Sequence, residues 1–347
     1  MINLNWERNK IIANDLSETV GYTPIVRLNR ITKDLDVEIL GKLDYFNPSG
    51  SLKDRILFEM VEEAEKRGEL KPGMSLIEGT TGNTGISTAM VGAVKGYPVL
   101  VVMPAGMSEE RKKSMEIYGA KIIYTVGGES DVDLTLKKVS EIKSENPGKY
   151  WEVGQFSNLD NVKAHYQTTG PEIWEQTKGE FDIFVASQGT GGTISGVAKY
   201  VKERNTEILM FAVEPAECPL LSHQRWGTHR IEGIGDGFIP KNLLIKYIDG
   251  VVTTTSEESI EMAKRLAKDE GIFCGISSGC NVVAAIKLAK KYPDVKKIVT
   301  MINDNGQRYF STPLCGVGKE FEVEEREHPL DKDQLELLKK HPLIIIE

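Results

Sequence analysis

Short apolar runs alternate with longer amphipathic segments along most of this 347-residue chain. Runs of β-branched and other apolar residues that end in a Gly-rich turn are typical of strands buried on both faces. Apolar positions at helical spacing follow several of these runs. The predicted strand and helix pairs are 74–78 with 80–94, 99–103 with 108–118, 121–126 with 131–144 and 181–186 with 193–203, and further buried strands are predicted at 208–213 and 298–302.

This alternation of strand and helix predicts an α/β fold in which helices cover parallel sheets. Ligands in such folds bind at the carboxyl ends of strands and at helix N-termini, which is where the Gly-rich segments fall. Residues 319–347 mix charged positions with a final apolar run at 343–346 and carry no recognisable chemistry. We expect them to form a packing arm or a subunit contact.

Composition and charge narrow the class of protein. The chain is 40% hydrophobic and 27% charged, which is ordinary for a folded protein, and its net charge is −8. We expect no nucleic-acid partner, because no overall basic field would attract phosphate backbones. An apolar run of 18 residues and a signal-like N-terminus are both lacking, so we expect a cytoplasmic protein without a membrane partner.

The cysteines and histidines indicate neither disulfides nor a metal site. Four cysteines are too few and too scattered for a disulfide framework or paired zinc ligands, and buried thiols are expected instead. The first three histidines show no metal-binding spacing and are expected to be structural or on the surface. The cysteines are Cys218, Cys274, Cys280 and Cys315, and these three histidines are His165, His223 and His229.

The first segment with chemical potential spans residues 47–55 and reads Asn-Pro-Ser-Gly-Ser-Leu-Lys-Asp-Arg. It ends a turn and opens a predicted helix with Ser51 as the expected N-cap. Lys53 falls in the first helical turn, where exposed N–H groups and the helix dipole disfavour a cation. A lysine kept neutral can condense with a carbonyl cofactor, whereas a solvated helix lysine is the commoner case.

Two further segments could bind an anion. Residues 78–85 run from a strand end into a helix and offer hydroxyls, an amide and free N–H groups to a carboxylate or phosphate, although a threonine-rich helix cap would look similar. Residues 189–193, Gly-Thr-Gly-Gly-Thr, are the stronger phosphate signal. With Gly196 and Glu214 they also imitate a dinucleotide-binding fingerprint, although the glycine spacing differs, so a nicotinamide-dependent oxidoreductase stays open.

The fourth segment, residues 275–279, matches the G-x-S-x-G pattern of a nucleophile elbow and keeps a serine hydrolase open. The residues that could complete a triad with Ser277 are Asp294, Asp304, His328 and His341. Two of them lie in the charged C-terminal part, which makes the arrangement cramped. A Ser277 hydroxyl that caps the helix or bonds to a ring nitrogen is the preferred interpretation.

Taken in order, these four segments resemble the fold type II pyridoxal-phosphate enzymes, in particular the cysteine synthase and cystathionine β-synthase family, over roughly residues 17–312. Further similar strings are Thr23-Pro24, Met103-Pro104, Gln155-Phe156-Ser157-Asn158, Glu232-Gly233-Ile234-Gly235 and Arg308-Tyr309-Phe310-Ser311-Thr312. The resemblance implies a tryptophan synthase β-like architecture and a homodimer. It also implies a smaller mobile domain at 45–158 and a larger cofactor-binding domain formed by 1–44 and 159–347.

The resemblance also implies pyridoxal 5′-phosphate as cofactor and a role for each motif residue. Lys53 would form the internal aldimine and then move the proton at the substrate Cα, Asn83 would meet the ring hydroxyl and Ser277 the pyridine nitrogen. The residues implied to cradle the 5′-phosphate are Gly189, Thr190, Gly191, Gly192 and Thr193. Those implied to hold the substrate carboxylate are Thr80, Thr81, Gly82, Thr84 and Gln155.

The implied reaction is β-elimination followed by addition of a thiol or sulfide, which a neutral Ser277 at the ring nitrogen favours over transamination. Asp236 stands where cysteine synthases commonly have a small residue. On the β-substituent side it would repel phosphate, which disfavours O-phosphoserine, and it could act as general acid or base. Cysteine synthesis from O-acetylserine and sulfide is expected first. Cystathionine synthesis from serine and homocysteine, sulfide release from cysteine, and an exposed Asp236 without a role stay open.

Overall fold

The computed structural model describes residues 12–128, 131–316 and 329–347. Its strands are short, and most of their residues are buried. The strands are β1 (Ile25–Arg27), β2 (Glu38–Leu43), β3 (Ser75–Gly79), β4 (Val99–Pro104), β5 (Lys121–Thr125), β6 (Tyr150–Glu152), β7 (Ile183–Ser187), β8 (Leu209–Pro215), β9 (Gly250–Thr254), β10 (Lys297–Ile302) and β11 (Ile344–Ile346).

The strands form two sheets. The larger has the order β1-β2-β10-β7-β8-β9-β11 and the smaller the order β5-β4-β3-β6. All neighbours pair in parallel except β1 and β2, which are antiparallel. The predicted α/β fold with parallel sheets is confirmed. The smaller sheet lies wholly inside the segment 45–158, and the division into a mobile and a fixed domain stays a prediction.

Helices cover both faces of each sheet, as parallel sheets require. α9 and α10 pack on one face of the larger sheet and α6 and α7 on the other. α1, α2 and α3 cover one face of the smaller sheet and α4 the other. The helices are α1 (Lys53–Lys66), α2 (Asn83–Lys95), α3 (Glu109–Ile117), α4 (Val132–Glu145), α5 (Asp160–Gln167), α6 (Thr169–Thr177), α7 (Gly192–Lys202), α8 (Leu220–His223), α9 (Ser256–Glu270), α10 (Ile276–Lys291) and α11 (Lys332–Lys340).

Two predicted details at helix starts are wrong. Ser51 is not the N-cap of α1, because its backbone pairs with Asp304 and the helix begins after Leu52, which has no side-chain cap. The Ser51 hydroxyl still accepts from the N–H of Lys53 at 3.3 Å. Helix α2 begins at residue 83 rather than 80, because the Thr80 hydroxyl accepts from the N–H of Gly82 at 3.0 Å and closes a turn.

Three of the four cysteines are buried, and the C-terminal run packs against the rest of the fold. Cys218, Cys274 and Cys280 are buried thiols as expected, but Cys315 is exposed. The C-terminal run does pack: β11 pairs with β9, and Leu338 of α11 is buried. Residues 317–328 lie outside the described part of the chain.

Among the described residues, none of the helices is both long and apolar enough to cross a membrane, and no group of residues has metal-ligand geometry.

A buried cluster of four charges joins α1 to the larger sheet. The Arg55 guanidinium binds Asp44 through two hydrogen bonds of 2.8 and 2.9 Å, and Glu172 of α6 through two of 2.6 and 2.8 Å. Lys42 of β2 contacts Glu172 at 2.8 Å. Burial alone would raise the pKa of Glu172, but its bonds to Arg55 and Lys42 outweigh burial and lower it to about 2. The cluster holds two positive and two negative charges, so its net charge is zero.

Removing one partner should therefore destabilise the fold strongly. We expect Arg55→Met to lower the free energy of unfolding by about 3–5 kcal/mol, because it leaves two carboxylates buried beside one lysine. Urea denaturation at equal cofactor loading measures the loss. Lys66→Met is the matched control, since its ion pair with Glu63 lies at the surface and should matter little. Equal losses in the two variants would contradict the interpretation.

Candidate functional site

One cavity lies where the carboxyl ends of strands from both sheets approach each other. All of the site residues expected from the sequence except Gly82 line it. They are Lys53, Thr80, Thr81, Asn83, Thr84, Gln155, Gly189, Thr190, Gly191, Gly192, Thr193, Asp236 and Ser277.

Lys53 is the first residue of α1, and the chain around it is held from both sides. The N–H of Leu52 donates to the carbonyl of Asn303, just beyond β10, at 2.9 Å. The Asp54 carboxylate accepts from the N–H of Ser49 at 2.7 Å and from the Ser87 hydroxyl at 2.5 Å. These contacts fix the helix end that places Lys53 at the cavity.

The loop 189–193 leads from β7 into α7 and presents unused donors. The first bond inside α7 runs from the N–H of Ser195 to the carbonyl of Gly191, so the preceding N–H groups have no helical acceptor. Gly191 has a left-handed φ of 79°, which favours glycine. A Cβ at Gly192 would lie 1.8 Å from Oδ1 of Asn161, so a side chain does not fit there. Such a helix start binds phosphate well.

His165 lies behind this loop. Its Nε2 is 3.1 Å from the Thr193 hydroxyl and its Nδ1 is 2.8 Å from the Thr169 hydroxyl. Burial lowers the pKa of His165 to about 3, so the ring is neutral at physiological pH. The expectation of a structural histidine is met, and the ring orients a hydroxyl that lines the cavity.

The loop after β3 and the side chain of Gln155 form the opposite wall. Gln155 accepts from the Thr84 hydroxyl at 2.5 Å and donates to the carbonyl of Gly79 at 3.2 Å. Glu78, at the end of β3, accepts from the N–H of Gly154 at 2.8 Å. Its other oxygen is buried with no partner among the described residues. Burial raises the pKa of Glu78 to about 8.

Ser277 lies in the first turn of α10 beside a network of polar side chains. Its hydroxyl accepts from Asn303 at 3.1 Å. The amide of Asn83 donates to Asp304 at 2.6 Å, and the Tyr309 hydroxyl donates to the same carboxylate oxygen at 2.7 Å. An amide nitrogen carries two hydrogens, so the bond to Asp304 leaves one N–H of Asn83 for a ligand.

Asp236 is 6% exposed and lines the cavity, so it is not the exposed loop residue that one alternative expected. Gly235 and Gly237 on either side of it have left-handed φ values of 69° and 87°, which allow the tight turn that carries it inward. One carboxylate oxygen of Asp236 lies 3.6 Å from the position that a Cβ at Gly189 would take. The carboxylate therefore lies next to the glycine-rich loop.

Arg111 of α3 lies behind the site without lining the cavity, and its sequence position does not predict this. It is 1% exposed, forms an ion pair with Glu232 and donates to the Tyr309 hydroxyl at 2.9 Å. A Cβ at Gly82 would lie 2.2 Å from its Cδ, which explains why Gly82 is covered rather than lining the cavity. Its position in a highly charged helix resembles that of an exposed residue, so no local signal marks it.

The structure removes the support for the dinucleotide-binding site and shows that Asp304, one candidate for a hydrolase triad, bonds to other residues. Glu214 accepts from the N–H groups of Leu221 and Ser222 at 2.7 and 2.9 Å, so it caps a short helix rather than facing a ribose. The Asp304 carboxylate is engaged by Asn83 and Tyr309, and the Ser277 hydroxyl by Asn303. His328 lies outside the described residues.

A protein-family model and individual relatives match most of the chain. The family model described as pyridoxal-phosphate dependent enzyme matches residues 16–304. Cysteine synthase A of Escherichia coli (strain K12) is 46% identical over 312 residues, covering 87% of this chain and 95% of that protein.

Solved structures are similar over most of the chain as well. The crystal structure of a cysteine synthase from Entamoeba histolytica has a TM-score of 0.86 and 40% identity, covering 98% of each chain. A hydrogen sulfide-producing enzyme from Fusobacterium nucleatum has a TM-score of 0.81 and 41% identity, covering 86% of this chain and 98% of that one.

The buried carboxyl of Glu78 should leave a signature in the pH dependence of stability. The unfolded chain ionises Glu78 above pH 4.5, whereas the folded protein keeps its proton up to about pH 8. The free energy of unfolding therefore falls over this interval. Glu78→Gln should remove this part of the fall, on the order of 3 kcal/mol between about pH 5 and about pH 8.

Urea denaturation of the wild type and the variant across that range measures the difference. Glu145→Gln, a change at an exposed carboxylate, is the control and should leave the slope nearly unchanged. Identical pH dependence in the wild type and Glu78→Gln would contradict the assignment.

Proposed function

Because the chain belongs to the pyridoxal-phosphate-dependent enzymes of fold type II, in the cysteine synthase family, we propose that it makes cysteine from O-acetylserine and sulfide. The expected cofactor, pyridoxal 5′-phosphate, and the expected class of β-replacement enzyme are confirmed by this membership. The observation that carries the proposed reaction is the cavity that joins Lys53, the glycine-rich loop 189–193 and the threonine loop after β3.

The residues present fit the cofactor. The free N–H groups at the start of α7 and the hydroxyls of Thr190 and Thr193 would bind its phosphate ester. Lys53 would hold it covalently, and Asn83 would donate its remaining N–H to the ring hydroxyl. Bound pyridoxal phosphate supplies an electron-withdrawing ring that lets the bonds at the substrate Cα and Cβ break.

Ser277 would set the electronic character of that ring. Its hydroxyl already accepts a hydrogen bond from Asn303, so its own hydrogen can be donated to the ring nitrogen. A nitrogen that accepts from a neutral hydroxyl is stabilised less as a cation than one paired with a carboxylate. This arrangement favours expulsion of a leaving group from Cβ over transamination.

The threonine loop and Gln155 would bind the substrate carboxylate. The Thr80 hydroxyl accepts from Gly82, which leaves its own hydrogen for a carboxylate oxygen. Thr81, Thr84 and Gln155 line the same wall of the cavity. Lys53, freed from the cofactor when substrate binds, would move the proton at Cα.

Asp236 supports a second reaction, the release of hydrogen sulfide from cysteine. As Lys53 takes the Cα proton, the Cβ–S bond would break with its electron pair going to sulfur, and the Asp236 carboxyl would give its proton to that sulfur. Acetate leaves as a stable anion and needs no such proton. The support is the burial of Asp236 at the cavity, together with the similarity to a hydrogen sulfide-producing enzyme.

We further propose that the smaller domain, residues 45–158, is mobile and closes over bound substrate. The family resemblance also supports a homodimer in the cytoplasm. The net charge of −8 supports small-molecule substrates over nucleic acid.

The covalent role of Lys53 predicts a spectroscopic signature. The purified protein should be yellow, and Lys53→Ala should lose the visible band and about 10³-fold or more of the cysteine synthesis rate. Absorbance spectra and sulfide-dependent cysteine formation measure both. Lys95→Ala, a change outside the cavity, should keep both. A Lys53→Ala protein that retained colour and rate would contradict the proposal.

Asp236→Asn should separate the two reactions. Sulfide release from cysteine should fall about 10²-fold, because the departing sulfur loses its proton donor. Cysteine synthesis from O-acetylserine should fall less than about tenfold, since acetate needs no proton. Asp34→Asn, at an exposed position, is the control. Equal losses in both reactions would show that Asp236 acts on folding or binding rather than on the sulfur.

A further inference from the structure

Two buried asparagines converge on the main-chain carbonyl of Gln155. Nδ2 of Asn161, from α5, donates to it at 2.8 Å, and Nδ2 of Asn242 donates at 2.7 Å. Both side chains are fully buried. A carbonyl oxygen has two lone pairs, so these two donors use its full accepting capacity. The Gln155 peptide is therefore fixed from α5 and from the segment that follows Asp236.

Asn161 also contacts the glycine-rich loop. Its Nδ2 lies 3.0 Å from the Thr190 hydroxyl, so its two hydrogens serve two different walls of the cavity. The Thr190 oxygen accepts this hydrogen bond, which leaves the single hydroxyl hydrogen to be donated elsewhere. Thr190 lines the cavity, and an anionic oxygen placed there would receive that hydrogen.

The side-chain oxygens of both asparagines are unsatisfied acceptors. Oδ1 of Asn161 and Oδ1 of Asn242 are buried with no hydrogen-bond partner among the described residues. A buried acceptor without a partner costs free energy. The N–H donors are therefore the part of these side chains that contributes to the site.

We propose that Asn161 is a positioning residue that joins the main chain of Gln155, three residues before the end of the proposed mobile segment, to the phosphate loop, and that Asn242 positions the main chain of Gln155 alone. The inference rests on the proposed function, in which Gln155 holds the carboxylate of an amino-acid substrate and Thr190 holds a phosphate ester. In this proposal, Asn161 affects the binding of both the amino-acid substrate and the cofactor phosphate. Asn242 affects the binding of the substrate alone.

Four variants test this difference: Asn161→Ser, Asn242→Ser, Thr190→Val and the double variant Asn161→Ser with Thr190→Val. The readouts are the dissociation constant of pyridoxal phosphate from the apoprotein, and KM and kcat for O-acetylserine. Asn161→Ser should weaken cofactor binding about tenfold and raise KM about tenfold, the effect of about one lost hydrogen bond at each wall. Asn242→Ser should raise KM by a similar factor and leave cofactor binding unchanged.

The double variant tests whether Asn161 acts through Thr190. Thr190→Val should weaken cofactor binding by itself, and adding Asn161→Ser should weaken it little further, because the shared hydrogen bond is already lost. Fully additive losses, or equal loss of cofactor affinity in the two asparagine variants, would overturn the proposal.

Two outcomes keep the proposal separate from its premises. Should Asn161→Ser fail to fold, Asn242→Ser decides: raised KM with unchanged cofactor affinity supports the proposal, and unchanged KM overturns it. A wild-type apoprotein that does not bind pyridoxal phosphate would defeat the proposed function instead. Normal wild-type binding with no difference between the variants would defeat only the positioning roles.

Discussion

The ion cluster around Arg55 is the interaction on which the geometry of the site depends. Arg55 follows Lys53 by two residues on the same helix, and its two carboxylate partners, Asp44 and Glu172, come from outside that helix. The cluster therefore holds the lysine-bearing end of α1 against the larger sheet. Because water and ions are excluded from it, dissolved salt screens it far less than it would a surface pair.

The sequence predicts six of the strands and misses five others in the described part of the chain, among them β2. β3, β4, β5, β7, β8 and β10 all appear within about two residues of their predicted bounds. β2 was not predicted, because Glu38 and Lys42 interrupt its apolar pattern. Lys42 is buried there beside Glu172, which lies far along the chain and carries the opposite charge. Such compensation is a property of the folded chain and leaves no local pattern.

The same distinction separates the site residues that the sequence identifies from those it does not. Lys53 and the glycines of 189–193 belong to compact motifs whose backbone needs are visible locally. Arg111, Asn161 and Asn242 act through partners brought close only by folding, and Asn242 lies 87 positions from Gln155. Single asparagines and arginines are common on protein surfaces, so sequence alone does not distinguish these buried ones.

The short strand β11 closes one margin of the larger sheet. Ile344 and Ile345 are 48% and 44% exposed, and among the described residues β11 pairs with β9 on one side only. An apolar strand at a margin offers its unpaired main-chain groups to any other extended chain, and brevity is one way in which proteins limit self-association. A strand of three residues offers few main-chain groups with which another chain could pair. Lengthening this strand with β-branched residues would give other chains a longer edge to pair with and would promote aggregation.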